Sequence, residues 1–110
     1  MPTIDFPQLI QDMLHAAKNS LTSHWKDAAP YAEKEMNAFA ENIKLIAKLK
    51  LEGKISLEKA KLHIDIQKNA MRIVLLTIEG LGILAVEAAI NAAIDAVRTT
   101  VNKAIGWTLL

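Results

Sequence analysis

The sequence predicts an all-α protein organised as a long antiparallel helical hairpin. Hydrophobic residues make up 52% of the chain and aromatic residues only 5%, a composition that favours helices packed side by side over a sheet sandwich. Apolar residues recur at helical spacing through two long segments. Between these segments, residues 51–58 contain the glycine and the capping residues that are typical of a chain reversal.

The first helical arm is predicted over about residues 6–51. Asp5 can cap its first turn, with Gln8 completing a capping box. Pro30 interrupts the apolar repeat without changing its phase, so we expect a kink near Pro30 in an arm that keeps its direction. The repeat alternates gaps of four and three residues through Ile10, Leu14, Ala17, Leu21, Trp25, Ala28, Ala32, Met36, Phe39 and Ile43.

A turn over residues 52–56 is predicted to reverse the chain. Gly53 suits the left-handed residue that closes a helix, and Ser56 can cap the next one. The second arm should run over about residues 57–105 and be followed by an apolar tail at 106–110. The whole chain, 1–110, is then a single helical domain.

Two apolar lines run along the second arm. The first has heptad spacing and is expected to face the first arm; it comprises Ala60, Ile64, Gln67, Met71, Val74, Ile78, Leu81 and Ala85. The second line has no partner within a hairpin; it comprises Leu62, Ile66, Ile73, Leu76, Gly80 and Ile83. Because large exposed apolar surfaces are typical of interaction sites, we predict that two hairpins pair into a dimeric four-helix bundle.

Small residues on the later part of the second arm form the predicted self-association face, since they let another helix approach closely. This face comprises Gly80, Gly82, Ala85, Ala88, Ala89, Ala92, Ala93 and Ala96. An alternative architecture breaks the arms at Pro30 and at residues 79–82, which gives a monomeric four-helix bundle. Neither break has the polar loop residues that reversals normally use, so the hairpin is the preferred prediction.

Positive charge is concentrated near the predicted turn, although the net charge of the chain is only +1. This basic pole comprises Lys44, Lys48, Lys50, Lys54, Lys59, Lys61, Lys68 and Arg72. It could face an acidic partner, a phosphate backbone or an anionic membrane, but a solvated helix face is the preferred interpretation. No aromatic residues alternate with these lysines, so nucleic-acid binding is not favoured.

Motifs for catalysis are sparse. The chain has no cysteine, which excludes a disulfide framework and a thiolate metal site. Asp12 and His15 form a single acid-x-x-His pair, whereas a di-metal site in a helical bundle requires two such pairs. Ser23 and His24 are adjacent and would point about 100° apart on a helix. We therefore expect no enzyme, metal or cofactor, with a metal-dependent bundle enzyme as the last alternative.

The apolar stretch at about residues 73–97 raises the alternative of a membrane-active protein. Two internal glutamates, Glu79 and Glu87, cost about +5 to +7 kcal/mol against roughly −3 to −6 kcal/mol from the Leu, Ile and Val residues. Spanning is therefore not favoured. No secretory signal pattern is present, so we expect a cytoplasmic location. The expected function is non-enzymatic: a self-associating module for assembly or partner binding, whose partner is itself or another helical protein.

Overall fold

The protein is all-helical in its computed structural model, which describes residues 3–110 and has no strand in that range. The helices are α1 (Phe6–Leu21), α2 (Trp25–Leu51), α3 (Leu57–Leu76) and α4 (Ile83–Ile105), and a 3-10 turn at Thr22–His24 joins α1 to α2. The predicted all-α class is confirmed.

The helical segment over residues 6–51 is nearly continuous, but it folds back on itself. The Lys44 Nζ atom lies 5.8 Å from the centre of the Phe6 ring. The longest dimension of the molecule is 43 Å, whereas a straight helix over these residues would be about 70 Å long. The reversal is at Thr22, which has a φ of 50° and a ψ of −114°.

This reversal contradicts the expectation that the first arm keeps its direction. Pro30, where the kink is predicted, lies inside α2. Pro30 is in the early part of that helix and leaves its continuation intact. The segment from Asn19 to His24 is rich in Asn, Ser and Thr, a composition that is typical of a turn. Its lack of glycine concealed the reversal, because here a threonine takes the left-handed φ that glycine adopts most readily.

The second arm is not one helix either. Helix α3 ends at Leu76 and α4 begins at Ile83. Gly80 has a φ of 87°, and the Thr77 hydroxyl donates to the Val74 carbonyl oxygen at 2.6 Å. The interruption spans residues 77–82 and includes residues 79–82, where the alternative architecture placed one of its two breaks.

Local capping accounts for the helix ends. The Asp5 carboxylate accepts a hydrogen bond from the Gln8 backbone N–H at 3.1 Å, and the Ser56 hydroxyl accepts one from the Lys59 N–H at 3.2 Å. Gly53, with a φ of 67°, lies between α2 and α3. These contacts satisfy backbone donors that the first turn of a helix otherwise leaves unpaired.

Each helix packs on two others. The contact of α1 with α4 is the most extensive, followed by α2 with α3, α1 with α2 and α3 with α4. The 3-10 turn and the α3–α4 connection meet at one end, because a Cβ atom at Gly80 would lie 3.3 Å from the His24 Nε2 atom. At the other end lie the ends of α2 and α4, where the Lys50 ammonium donates to the Ile105 carbonyl oxygen.

One hydrophobic core joins all four helices. Its largest fully buried side chains are Met13, Met36, Phe39, Ile43, Ile46, Met71, Leu75, Val86, Ile90, Val97 and Val101. The C-terminal tail adds Leu109, which is also buried. The Asn102 side-chain oxygen accepts hydrogen bonds from the Leu109 and Leu110 N–H groups, each at 2.9 Å, and so holds the tail against the helices.

Candidate self-association surface on helix α3

The outer side of α3 carries a row of exposed apolar side chains. Leu62 is 59% exposed, Ile66 65%, Ile73 66% and Leu76 40%. Asn69, also exposed, occupies the middle of the row, so the five residues follow each other at gaps of four, three, four and three. We call this row, Leu62, Ile66, Asn69, Ile73 and Leu76, the α3 stripe.

The opposite side of α3 faces the protein's own core. Its buried residues are Ala60, Ile64, Gln67, Met71 and Leu75. Residues two apart on a helix are separated by about 200°, so Ala60 and Leu62 begin two lines on opposite faces. Helix α3 is thus apolar on both sides. Of the two lines that the sequence predicts, the chain buries most of the first, although Val74 is only partly buried and Ala85 is exposed. It leaves the α3-helical part of the second exposed.

The four-three spacing of the α3 stripe matches the seam of a coiled coil. Isoleucine at Ile66 and Ile73 occupies one set of seam positions, and leucine at Leu62 and Leu76 occupies the other. Asn69 lies seven residues from each of these leucines and is the one polar member of their set. The spacing alone would also fit a buried helix, but the exposure of these side chains shows that this chain does not bury them.

One flank of the α3 stripe is fixed by an ion pair with α4. The Arg72 guanidinium donates to the Glu87 carboxylate, with one N–O distance of 3.4 Å, and also to the Asn69 side-chain oxygen. The hydrogen bond from Arg72 holds the pKa of the Glu87 carboxyl below its ordinary value of 4.5. Asp65 lies two turns before Arg72 on the same flank and is exposed.

The other flank of the α3 stripe carries no carboxylate. It is formed by His63, which is exposed, and Ala70, which is partly buried. Further in on the same side, Asn42 of α2 donates to the buried Gln67 side chain at 2.7 Å. This bond links α2 to α3 and helps to fix the rotation of α3 about its own axis, and therefore the direction in which the stripe points.

The predicted face of small residues is divided between the core and the surface. Ala89 and Ala93 are fully buried in the protein's own core. Ala92 is partly buried, and the others are exposed: Gly80, Gly82, Ala85, Ala88 and Ala96. The structure therefore does not bring all eight residues onto one accessible face. A ridge of alanines looks the same in sequence whether the helix against it belongs to the same chain or to another.

The residues of the predicted basic pole have diverse partners. Lys44 lies over the Phe6 ring and Lys50 over the Trp107 ring, at 5.8 and 4.7 Å. Lys54 pairs with Glu52 at 3.3 Å, and Arg72 pairs with Glu87. The others are Lys48, Lys59 and Lys61, which are exposed, and Lys68, which is partly buried. The pole is spread over two helices and their turn.

The candidate metal and catalytic residues lie apart. His15 is on α1, His24 in the 3-10 turn and His63 on α3. Among residues 3–110, no three His, Asp or Glu side chains are grouped to hold a metal ion. The Gln8 amide donates to the Asp12 carboxylate at 2.8 Å.

In the same described range, no helix has the length and apolar character needed to cross a membrane. Comparison of the chain with protein-family models, with curated proteins and with solved structures finds no match.

Proposed function

We propose that the protein is a non-enzymatic, self-associating helical module. In this proposal the chain folds as a four-helix bundle by itself, and two such bundles pair through their α3 stripes. The observation that carries the proposal is the stripe itself: a coiled-coil seam on the outside of a helix whose other side already contacts the core. The role is assembly, or the binding of a partner that presents a similar helix.

The α3 stripe is complementary to a second copy of itself in the antiparallel direction. A two-fold axis through Asn69 places Leu62 against Leu76 of the second copy, and Ile66 beside Ile73 of the second copy. The two Asn69 side chains meet at the axis. Such an arrangement is isologous, because the same patch is used on both molecules, and each leucine and isoleucine has an apolar partner.

The charges on the flank support the same arrangement. In an antiparallel pair, the flank that carries Asp65 and Arg72 faces the same flank of the second copy. Asp65 then lies opposite Arg72 of the second copy, and the contact occurs twice. Since a guanidinium has five N–H donors, Arg72 can keep its bond to Glu87 and still donate to this second carboxylate. A parallel pair would instead set this flank against the His63 flank, which has no carboxylate.

Cysteine cross-linking tests the proposal, because the natural chain has no cysteine. In the proposed dimer Asn69→Cys places two thiols at the axis, within reach of a disulfide, so oxidation should give a covalent dimer of twice 12.1 kDa. Leu62→Cys is the matched control: its thiols lie far apart in the antiparallel pair but adjacent in a parallel one. The double variant Leu62→Cys/Leu76→Cys should cross-link again.

The outcomes separate the proposal from its competitors. Cross-linking of Leu62→Cys alone at the level of Asn69→Cys would overturn the antiparallel arrangement. A mass of 12.1 kDa at all concentrations in light scattering would overturn self-association. Co-sedimentation of the wild-type monomer with anionic liposomes, abolished by Ile66→Gln and Ile73→Gln, would assign the stripe to a membrane surface instead.

A further inference from the structure

An apolar cavity of about 440 Å³ opens at the end of the molecule where α2 and α4 end. It is formed by residues between Thr3 and Phe6, the last turns of α2 and the last turn of α4. Six of its lining residues are apolar: Ile4, Phe6, Ala47, Leu51, Ala104 and Ile105. Its volume falls within the range of about 300–1,000 Å³ that is typical of small-molecule sites. We call it the end cavity.

Among residues 3–110, the polar residues that line the end cavity are Thr3 and Lys50, and no carboxylate lines it. The Lys50 ammonium donates to the Ile105 carbonyl oxygen and lies 4.7 Å from the centre of the Trp107 ring. An ammonium has three N–H donors, so the bond to Ile105 leaves two for another acceptor. The carbonyl and the indole hold this charge at the edge of an apolar space.

A second cation stands near the same space. Lys44 Nζ lies 5.8 Å from the centre of the Phe6 ring, and Phe6 is part of the lining. Two carboxylates lie nearby in the sequence but do not line the cavity. Glu52 is paired with Lys54 at 3.3 Å, and Asp5 accepts a hydrogen bond from the Gln8 backbone N–H at 3.1 Å. The electrostatics of the end cavity therefore favour an anion and disfavour a cation.

We infer that the end cavity binds an unbranched aliphatic chain that ends in an anionic head group. The aliphatic chain lies among the apolar residues, and the head group accepts hydrogen bonds from the two free donors of Lys50. A cation would meet the Lys50 charge without any carboxylate in the lining to offset it. A purely polar anion would leave the apolar wall uncovered. The inference stands independently of the self-association proposed for α3, which lies on a different surface.

Titration with dodecanoate below its micelle concentration is the direct test. Trp107 emission reports occupancy, in a Trp25→Phe background that removes the other indole. We expect saturable binding of one molecule per chain. Decanoate should bind about fifteen-fold more weakly, because each buried methylene changes the Kd about four-fold. Dodecyl phosphate should also bind, and dodecanol should bind at least ten-fold more weakly than dodecanoate. The ratio of the affinities for dodecanoate and dodecyl phosphate shows whether a carboxylate or a phosphate is the preferred head group.

Two variants test whether the charge of Lys50 and the apolar lining cause the expected selectivity. Lys50→Met should reduce dodecanoate affinity to that of dodecanol, while the matched control Lys48→Met, on the same helix but outside the cavity, should bind as the wild type does. Leu51→Glu adds a carboxylate at a position that is 73% exposed, so the fold should persist while dodecanoate binding falls at least ten-fold.

Three results would overturn the inference: equal affinity for dodecanol and dodecanoate, unchanged dodecanoate binding by Lys50→Met, or the absence of saturable binding. Dodecanoate binding that disappears in Ile73→Gln but persists in Leu51→Glu would also overturn it, since the site would then be on α3.

Discussion

Replacing Ile73 by glutamine should weaken dimerisation strongly and leave the monomer's stability almost unchanged. Ile73 lies next to Asn69, the middle residue of the α3 stripe, and about two thirds of it is exposed in the single chain. Complete burial of an isoleucine side chain is worth about 1.5–3 kcal/mol. The exposed part therefore leaves about 1–2 kcal/mol to be gained at the interface by each copy.

The loss of dimerisation free energy is twice this amount, because a two-fold interface contains Ile73 from both molecules. The expected loss is about 2–4 kcal/mol of dimerisation free energy, which is roughly a 30-fold to 1,000-fold increase in the dimer Kd. The free energy of unfolding of the dilute monomer should change by no more than about 0.5 kcal/mol, as for other exposed positions.

Sedimentation equilibrium over a wide concentration range measures the dimer Kd, and urea unfolding at the lowest concentration measures the monomer. Leu51→Gln is the matched control: Leu51 is 73% exposed and lies at the end of α2, outside the stripe. Its dimer Kd should equal that of the wild type. Ile73→Val, which keeps the apolar contact, should shift the Kd much less than Ile73→Gln.

Equal Kd values for Ile73→Gln and the wild type would refute the assignment of the stripe as the interface. A loss of monomer stability comparable to the loss of dimerisation would refute it as well, because Ile73 would then be supporting the fold of its own chain.

Three further predictions test the fold around this surface. Ala89→Arg places a charge in the fully buried core and should destabilise the monomer by at least about 3 kcal/mol. Ala88→Arg, at an exposed position, should change the urea midpoint little. Equal effects of the two variants would contradict the burial of Ala89. Gly80→Ala should lower the free energy of unfolding by about 1–2 kcal/mol, because the φ of Gly80 is 87° and the new Cβ would approach the His24 imidazole. Gly82 has no left-handed φ, and a Cβ there would have no neighbour within 4 Å. Gly82→Ala should therefore lower the melting temperature clearly less. Glu87→Gln should reduce the stability of the protein at neutral pH. The folded-state pKa of Glu87 lies below its ordinary value of 4.5, so the stabilisation by its carboxylate is present above about pH 4.5 and is lost as the pH falls through the folded-state pKa. The urea midpoints of the wild type and the variant should therefore converge in acid.

Much of the helical structure is readable from local residues. Asp5 and Ser56 cap helices in the structure as their positions in the sequence suggest, because a side-chain oxygen next to an unpaired N–H needs no distant partner. The two apolar lines of α3 are likewise visible as heptad spacing. The sequence also shows a second apolar line that has no partner within a hairpin. The expectation that another protein surface covers this line follows from the same pattern.

The position of the chain reversals was decided by tertiary packing. Pro30 is the stronger local signal and Thr22 the weaker, yet the chain turns at Thr22 and continues through Pro30. The gain from packing α1 against α4 and α2 outweighs the cost of a left-handed threonine, which is about 1–2 kcal/mol. Residues 19–30 do not show this gain in their sequence, because much of it comes from contacts with α4, which begins more than 50 residues further along the chain.

Tertiary structure also decided which apolar surface remains free. Ala89 and Ala93 were expected at the interface between molecules, but the fold buries them within one, while Ile66 and Ile73 stay outside. The amino-acid sequence determines that each face is apolar and helical, since that depends on residue type and period. Whether a face is covered depends on which helices surround it. That is decided only in the folded protein, where α1 folds back and packs against α2 and α4.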